Sequence, residues 1–145
     1  MTDQTALPET ENIADTEEIR GMNALLGMEL IEWRDGYARI AVDVVDKHHN
    51  HSGLVHGGLS LTLLDVTSIY TGYWAPRDQP RKRCVTLSLT TNFIGKAPTS
   101  GRLTCEAWRE GGGRSIFFAR GEVRDAAGNL VATAKSTHRV RSGAL

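Results

Sequence analysis

The chain is poor in cysteine, proline and aromatic residues, carries no excess charge and has no long apolar run. Two cysteines in 145 residues, Cys84 and Cys105, have neither metal-binding nor redox spacing. A disulfide framework is excluded as the main support, and each cysteine falls in a strand-like stretch that suits a small buried thiol. Seventeen Lys+Arg against seventeen Asp+Glu leave a formal net charge of +0, which argues against nucleic acid and anionic membrane surfaces as partners. The apolar runs are too short for a transmembrane helix. The acidic opening, residues 1–18, lacks the basic-then-apolar pattern of a secretory signal. What remains, 40% hydrophobic and 23% charged residues, suits one reduced, cytoplasmic globular domain.

Charge is unevenly placed. Residues 1–19 hold six acids and no base, whereas from Arg77 onward thirteen Lys/Arg face five Asp/Glu. The polar start predicts a mobile tail over residues 1–18, a domain over 19–141 and a short tail over 142–145.

Asp15 and Glu18 are spaced like a capping box, and Ile19, Met22 and Leu26 continue at helical spacing. A short amphipathic helix ending at Gly27 is therefore expected. Met28 to Trp33 and Tyr37 to Val45 read as a hairpin around Asp35-Gly36. Residues 46–58, rich in His, Asn, Ser and Gly, break both periodicities and read as a loop. Leu59 to Trp74 is apolar most of the way round and stops before Pro76, the pattern of a buried helix. Strand alternation follows over residues 85–93, 103–108, 115–124 and 130–140. The fold class is thus α+β: an antiparallel sheet of five to six strands wrapped around one long helix.

The strongest local pattern is Asn50-x-x-Gly53-x-x-His56-Gly57-Gly58, with Asp65 seven residues beyond it. An Asp among Leu63, Leu64 and Val66 needs a hydrogen bond or a solvated cleft. Gly57-Gly58 before a helix can present backbone N–H groups to a developing oxyanion, or can serve only as a tight turn. Gly57 and Asp65 lie about 12 Å apart along a helix axis. One carbonyl could meet both only if two helices from two copies lay side by side, as a twofold dimer provides. His48, His49, His51 and His56 complete no recognisable metal-ligand spacing, and His138 reads as a structural residue.

This pattern resembles the hotdog-fold acyl-CoA thioesterases of the phenylacetate-pathway (PaaI-like) type over roughly residues 19–139. The motif above carries the resemblance, with residues 86–93, Pro98, Gly101 and residues 125–132. It implies hydrolysis of acyl-CoA to carboxylate and free coenzyme A without a metal or cofactor, in a homodimer that shares its sites and pairs again into a tetramer. Asp65 would be the general base or nucleophile, and the Gly57 N–H would polarise the thioester carbonyl. Asn50 and His56 would orient water or carbonyl, and Thr86 would hold the water from the facing strand. Gly58, Arg81, Lys82, Arg83, Lys96 and Arg114 are candidates for binding substrate, the basic ones through coenzyme A phosphates. Aromatic residues Trp33, Tyr70, Tyr73 and Trp74 suit either a flat acyl pocket or the core. Two alternatives stand beside this one: a 3-hydroxyacyl thioester dehydratase or hydratase pairing His49 or His51 with Asp65, and a non-catalytic acyl-CoA-binding module.

Overall fold

A computed structural model describes residues 6–144, and the side chains of residues 6–141. Six strands form one antiparallel sheet: β1 (Glu29–Arg34), β2 (Tyr37–Val44), β3 (Lys82–Phe93), β4 (Gly101–Gly112), β5 (Ile116–Arg124) and β6 (Leu130–Ala144). Their spatial order is β1-β2-β4-β5-β6-β3, so β1 and β3 are the edges. A short helix, α1 (Gly21–Leu25), precedes β1, and the long helix α2 (Gly57–Tyr70) separates β2 from β3.

The hairpin forms as the sequence predicts, with Gly36 at φ 78° supplying the positive dihedral that the turn after Asp35 requires. Alternation on β2 sends Ala38, Ile40 and Val42 inward, all 0% exposed. Across the register, Ala38, Ile40 and Val42 sit opposite Ala107, Cys105 and Leu103 of β4. Leu63 and Leu64 of α2 close over this surface together with Val123 of β5. Small residues let the helix approach: a Cβ at Gly121 would lie 3.0 Å from Leu64 Cδ2. Both cysteines are free thiols, and burial pushes Cys84 up to about 11 and Cys105 up to about 12.

Three local expectations are corrected. The N-terminal helix is split into a 3₁₀ turn over Ala14–Thr16 and α1, because the backbone is extended at Glu17 and again at Arg20 before Gly21, at φ 59°, opens α1. Asp15 caps nothing with its side chain; Arg77 binds it at 2.9 and 3.1 Å, and holds its carboxyl below the ordinary value. Helix α2 starts two residues earlier than expected and ends four earlier. Its start is fixed by His56, whose ring accepts the Gly58 N–H. Its end is fixed by Thr71, whose N–H and hydroxyl both donate to the Ser68 carbonyl.

Part of the expected acidic tail belongs to the packed body. Ile13 is 0% exposed and its N–H donates to the Trp33 carbonyl, while Asn12 Oδ1 accepts the N–H groups of Trp33 and Ala14. Residues 1–5 of that tail lie outside the described residues, as does Leu145 of the C-terminal one; strand β6 continues through Ala144.

Candidate active site

Helix α2 and strand β3 position the chemistry-bearing residues. The loop before α2 is organised by Asn50, whose Oδ1 accepts N–H donors from Ser52 at 2.9 Å and Leu54 at 3.1 Å. Its amide N–H₂ keeps no partner among the described residues. His48 is buried and clips the loop to the segment after α1, accepting from the Val45 N–H and donating to the Leu26 carbonyl at 2.8 Å. His49 bonds the Thr99 carbonyl at 2.7 Å. Among the described residues, no three His, Cys, Asp or Glu side chains gather where a metal could sit.

At the helix start, His56 takes the N-cap and its Nδ1 accepts the Gly58 N–H at 2.8 Å. Gly58, expected to bind substrate, therefore uses its N–H inside the chain. The Gly57 N–H has no intrahelical partner, as befits the first residue of a helix. The Phe93 ring covers this position: a Cβ on Gly57 would meet it at 3.1 Å.

Two turns along the helix, half-buried Asp65 faces β3. The Thr86 hydroxyl donates to Asp65 Oδ1 at 2.5 Å. Thr86 Oγ1 also lies 3.2 Å from His138 Nδ1, and His138 Nε2 lies 2.8 Å from Ser136 Oγ. His138 is 0% exposed and stacked on Phe117, with ring centroids 4.8 Å apart. Burial pushes its pKa down from the ordinary value, against the pull of the Asp65 charge.

Thus the structure joins Asp65 with Thr86 and, separately, sets His56 at the helix start beside Gly57, while Asn50 is tied to its own loop at Ser52 and Leu54. It does not join the two groups within one chain, as their spacing on one helix requires. His138, Ser136 and Phe93 were not among the expected site residues. The sequence does show Ser136 and His138 two apart on an otherwise apolar inward face of β6, which is the one signal that singles them out.

The basic residues separate into two kinds. Arg81 donates to the carbonyls of Ala75, Pro76 and Gln79 and to Thr16 Oγ1, and lies over the Trp33 ring at 5.2 Å. Lys82 and Arg83, with Arg141 paired opposite Arg83, border a cavity of about 390 Å³ lined also by Ile69, Tyr73 and Cys84. Ile69 and Cys84 stand one helical turn and two strand positions from Asp65 and Thr86, so this cavity adjoins the carboxylate. Lys96 borders a different cleft beside Pro98, Asp125 and Asn129, and Arg114 is exposed in the β4–β5 turn. The aromatic expectation resolves largely toward the core: Trp33, Tyr70 and Tyr73 form a cluster with 5.0 Å centroid spacings.

The sequence profile of the thioesterase superfamily matches residues 52–132, spanning the helix start, Asp65, Thr86 and most of the sheet. A protein of Archaeoglobus fulgidus named "Putative esterase" is 25% identical over 113 residues, covering 78% of this chain and 70% of its own length. The structure of conserved protein PA5202 from Pseudomonas aeruginosa is similar with a TM-score of 0.75 and 27% identity, over 85% of this chain and 95% of that one. The E. coli PaaI protein from the phenylacetic acid degradation operon shares the fold, with a TM-score of 0.74 and 20% identity over 84% of this chain and 85% of its own. With six antiparallel strands around one buried helix, in the hotdog arrangement of these structures, the chain belongs to the thioesterase superfamily.

Proposed function

We propose that this chain is an acyl-CoA thioesterase of the PaaI-like type, cutting acyl-CoA to a free carboxylate and coenzyme A in sites shared by two copies. The observation that carries this reading is the Asp65 carboxylate, half-buried on an apolar helix, with one oxygen held by Thr86 at 2.5 Å and the other left for chemistry.

The shared site has a concrete geometric basis. On β3, Thr86 touches Asp65 and Phe93 covers Gly57. This strand is a sheet edge twelve residues long, and Val85, Leu87 and Phe93 on it are 37%, 54% and 57% exposed. A long apolar edge is a template for pairing with another strand. Two copies of β3 paired antiparallel about Leu89–Thr90 lay Thr86 of one beside Phe93 of the other. That register brings Asp65 of one copy to Gly57 of the second, and does so twice.

In such a site water attacks the thioester carbonyl carbon while Asp65 takes its proton. The developing oxyanion accepts from the Gly57 N–H at the positive end of the second copy's helix, with the Asn50 amide as a further donor. Collapse breaks the C–S bond, and the thiolate leaves with a proton returned from Asp65, yielding the carboxylic acid, which ionises, and the free thiol. Direct attack by the carboxylate would pass instead through an anhydride hydrolysed in a second step. The side of the cavity formed by Ile69, Tyr73 and Val85 suits the acyl group, with Lys82, Arg83 and Arg141 on its other border. Lys82, Arg83, Lys96 and Arg114 supply cations for the coenzyme A phosphates, while Arg81 acts by ordering the loop that leads into Lys82 and Arg83 at the start of β3. A location in the cytoplasm and a further pairing of dimers belong to the same proposal.

Thiol release from a panel of aromatic and aliphatic acyl-CoAs tests the reading. The expected result is catalytic release of free coenzyme A from at least one class. Tight binding without thiol would replace it by a binding module, and an altered double bond by a dehydratase.

A further inference from the structure

The mechanism above leaves His138 unused, although it is the most deeply buried titratable group near Asp65. We propose that His138 is a positioning residue for the Asp65 base, acting through Thr86 at the end of a one-way hydrogen-bond chain that starts at Ser136. This inference rests on the thioesterase reading and deepens it.

The direction of the chain follows from counting protons. Thr86 has one hydroxyl proton and donates it to Asp65 Oδ1, so at its 3.2 Å contact with His138 the oxygen must accept. His138 is therefore protonated on Nδ1. In the neutral ring Nε2 then has only a lone pair, and at 2.8 Å it accepts from the Ser136 hydroxyl. Ser136 has a longer alternative at 3.4 Å in the Ala119 carbonyl. Every bond thus points toward the carboxylate: Ser136 to His138, His138 to Thr86, Thr86 to Asp65.

The ring is held for this task on all sides. β5 supplies the stacked Phe117 ring, and the Phe117 ring is itself pinned by Gly72, where a Cβ would fall 2.0 Å from it. β3 supplies Thr86, β6 supplies Ser136, and the charged group acting on the imidazole is Asp65 of α2. Burial lowers the pKa of the ring and so favours its neutral form, in which Nε2 is an acceptor.

Two consequences follow. The Thr86 hydroxyl loses its rotational choice, so Asp65 presents one defined oxygen to water. Polarisation along the chain also strengthens the Thr86 donor that seats the base. Neither effect involves a contact with coenzyme A.

The test compares His138→Phe, His138→Asn and Ser136→Ala with wild type and Asp65→Asn, measuring kcat, KM and the pH–rate profile of thiol release. His138→Phe keeps the stacking and removes the donor. It is expected to lower kcat about tenfold, the size of one lost hydrogen bond, with KM unchanged. The acid limb of its profile is expected to move to higher pH. His138→Asn places an amide N–H where Nδ1 was and should recover kcat to within about threefold of wild type. Ser136→Ala should shift the acid limb in the same direction by less, and it decides the matter if His138→Phe does not fold. A folded His138→Phe with wild-type kcat and pH profile overturns the proposal, as does an Asn variant no faster than the Phe variant, or an unshifted Ser136→Ala. A purely structural histidine would lower the yield of folded protein and leave the acid limb in place. Asp65→Asn separates the two levels: if it retains full activity, the thioesterase assignment of Asp65 fails, and otherwise only the role of His138 is at stake.

Discussion

Asp65→Asn is expected to lower kcat for thioester hydrolysis by about 10³-fold, within the range for removing a general base. The substitution is isosteric, and Asn Oδ1 can still accept from Thr86, so the hydrogen bond that seats the side chain in α2 survives. What is lost is the ability to take a proton from water or to attack carbon. KM should change little, since the carboxylate is not among the groups proposed to hold coenzyme A. The melting temperature should stay within a few degrees, because a half-buried carboxylate is being replaced by a neutral group of equal volume. Thiol release followed with a thiol-reactive dye, beside a thermal melt, reads both. An Asn variant with wild-type kcat would remove Asp65 from the reaction.

Gly57→Pro is the second large expected effect, and it isolates a single N–H group. Proline is favoured at the first position of a helix, where its missing donor has no intrahelical acceptor to lose. His56, the preceding residue, already has φ −63° and ψ 131°, the extended region that a following proline imposes. The added Cβ meets the Phe93 ring at 3.1 Å, a contact that the exposed Phe93 can relieve by turning. The fold therefore persists while the proposed oxyanion donor is gone. We expect kcat to fall about 10²-fold or more, as when one oxyanion-hole donor is removed. Gly57→Ala keeps the N–H and is the control: it should retain most of the activity. Equal losses in the two variants would mean that packing against Phe93, and not the N–H, sets the rate.

Much of this was legible in the residues, for identifiable reasons. The hairpin, the buried helix and the later strands each carry an uninterrupted period, 2 or 3.6, over enough residues to be read. Asp65 stood out because a charge among Leu63, Leu64 and Val66 needs a cause, and Gly57-Gly58 because two glycines at a helix start expose backbone. The N-terminal region differs from its reading because its spacing is helical while the backbone is extended at Glu17 and Arg20, and because Asp15 binds Arg77, sixty-two residues away, instead of a cap. The helix end was misplaced because Thr71 looks like any β-branched residue until its hydroxyl turns back on the Ser68 carbonyl. Arg81 looked like a phosphate ligand because no local pattern reveals that its donors are used by three carbonyls and a threonine.

His138 shows the deeper limit. Its contact with Thr86 is made across the pairing of β3 with β6, strands that neighbour each other only after two others have been placed between β2 and β6. Periodicity assigns a residue to a face, but strand order decides what shares that face with it. The same holds for β3: its alternation is visible, whereas its place at the sheet edge, with Leu87 and Phe93 uncovered, follows from topology.

In the proposed shared site, one copy supplies Gly57 and the other Asp65. This arrangement is tested most directly with a purified heterodimer of one Asp65→Asn chain and one Gly57→Pro chain, carrying different affinity tags. Each homodimer is inactive in both sites. In the heterodimer, one site combines two substituted positions and the other combines two native ones. The heterodimer is expected to recover roughly half of the wild-type activity per dimer. A heterodimer as inactive as its parents would place Gly57 and Asp65 in the same chain's site and contradict it.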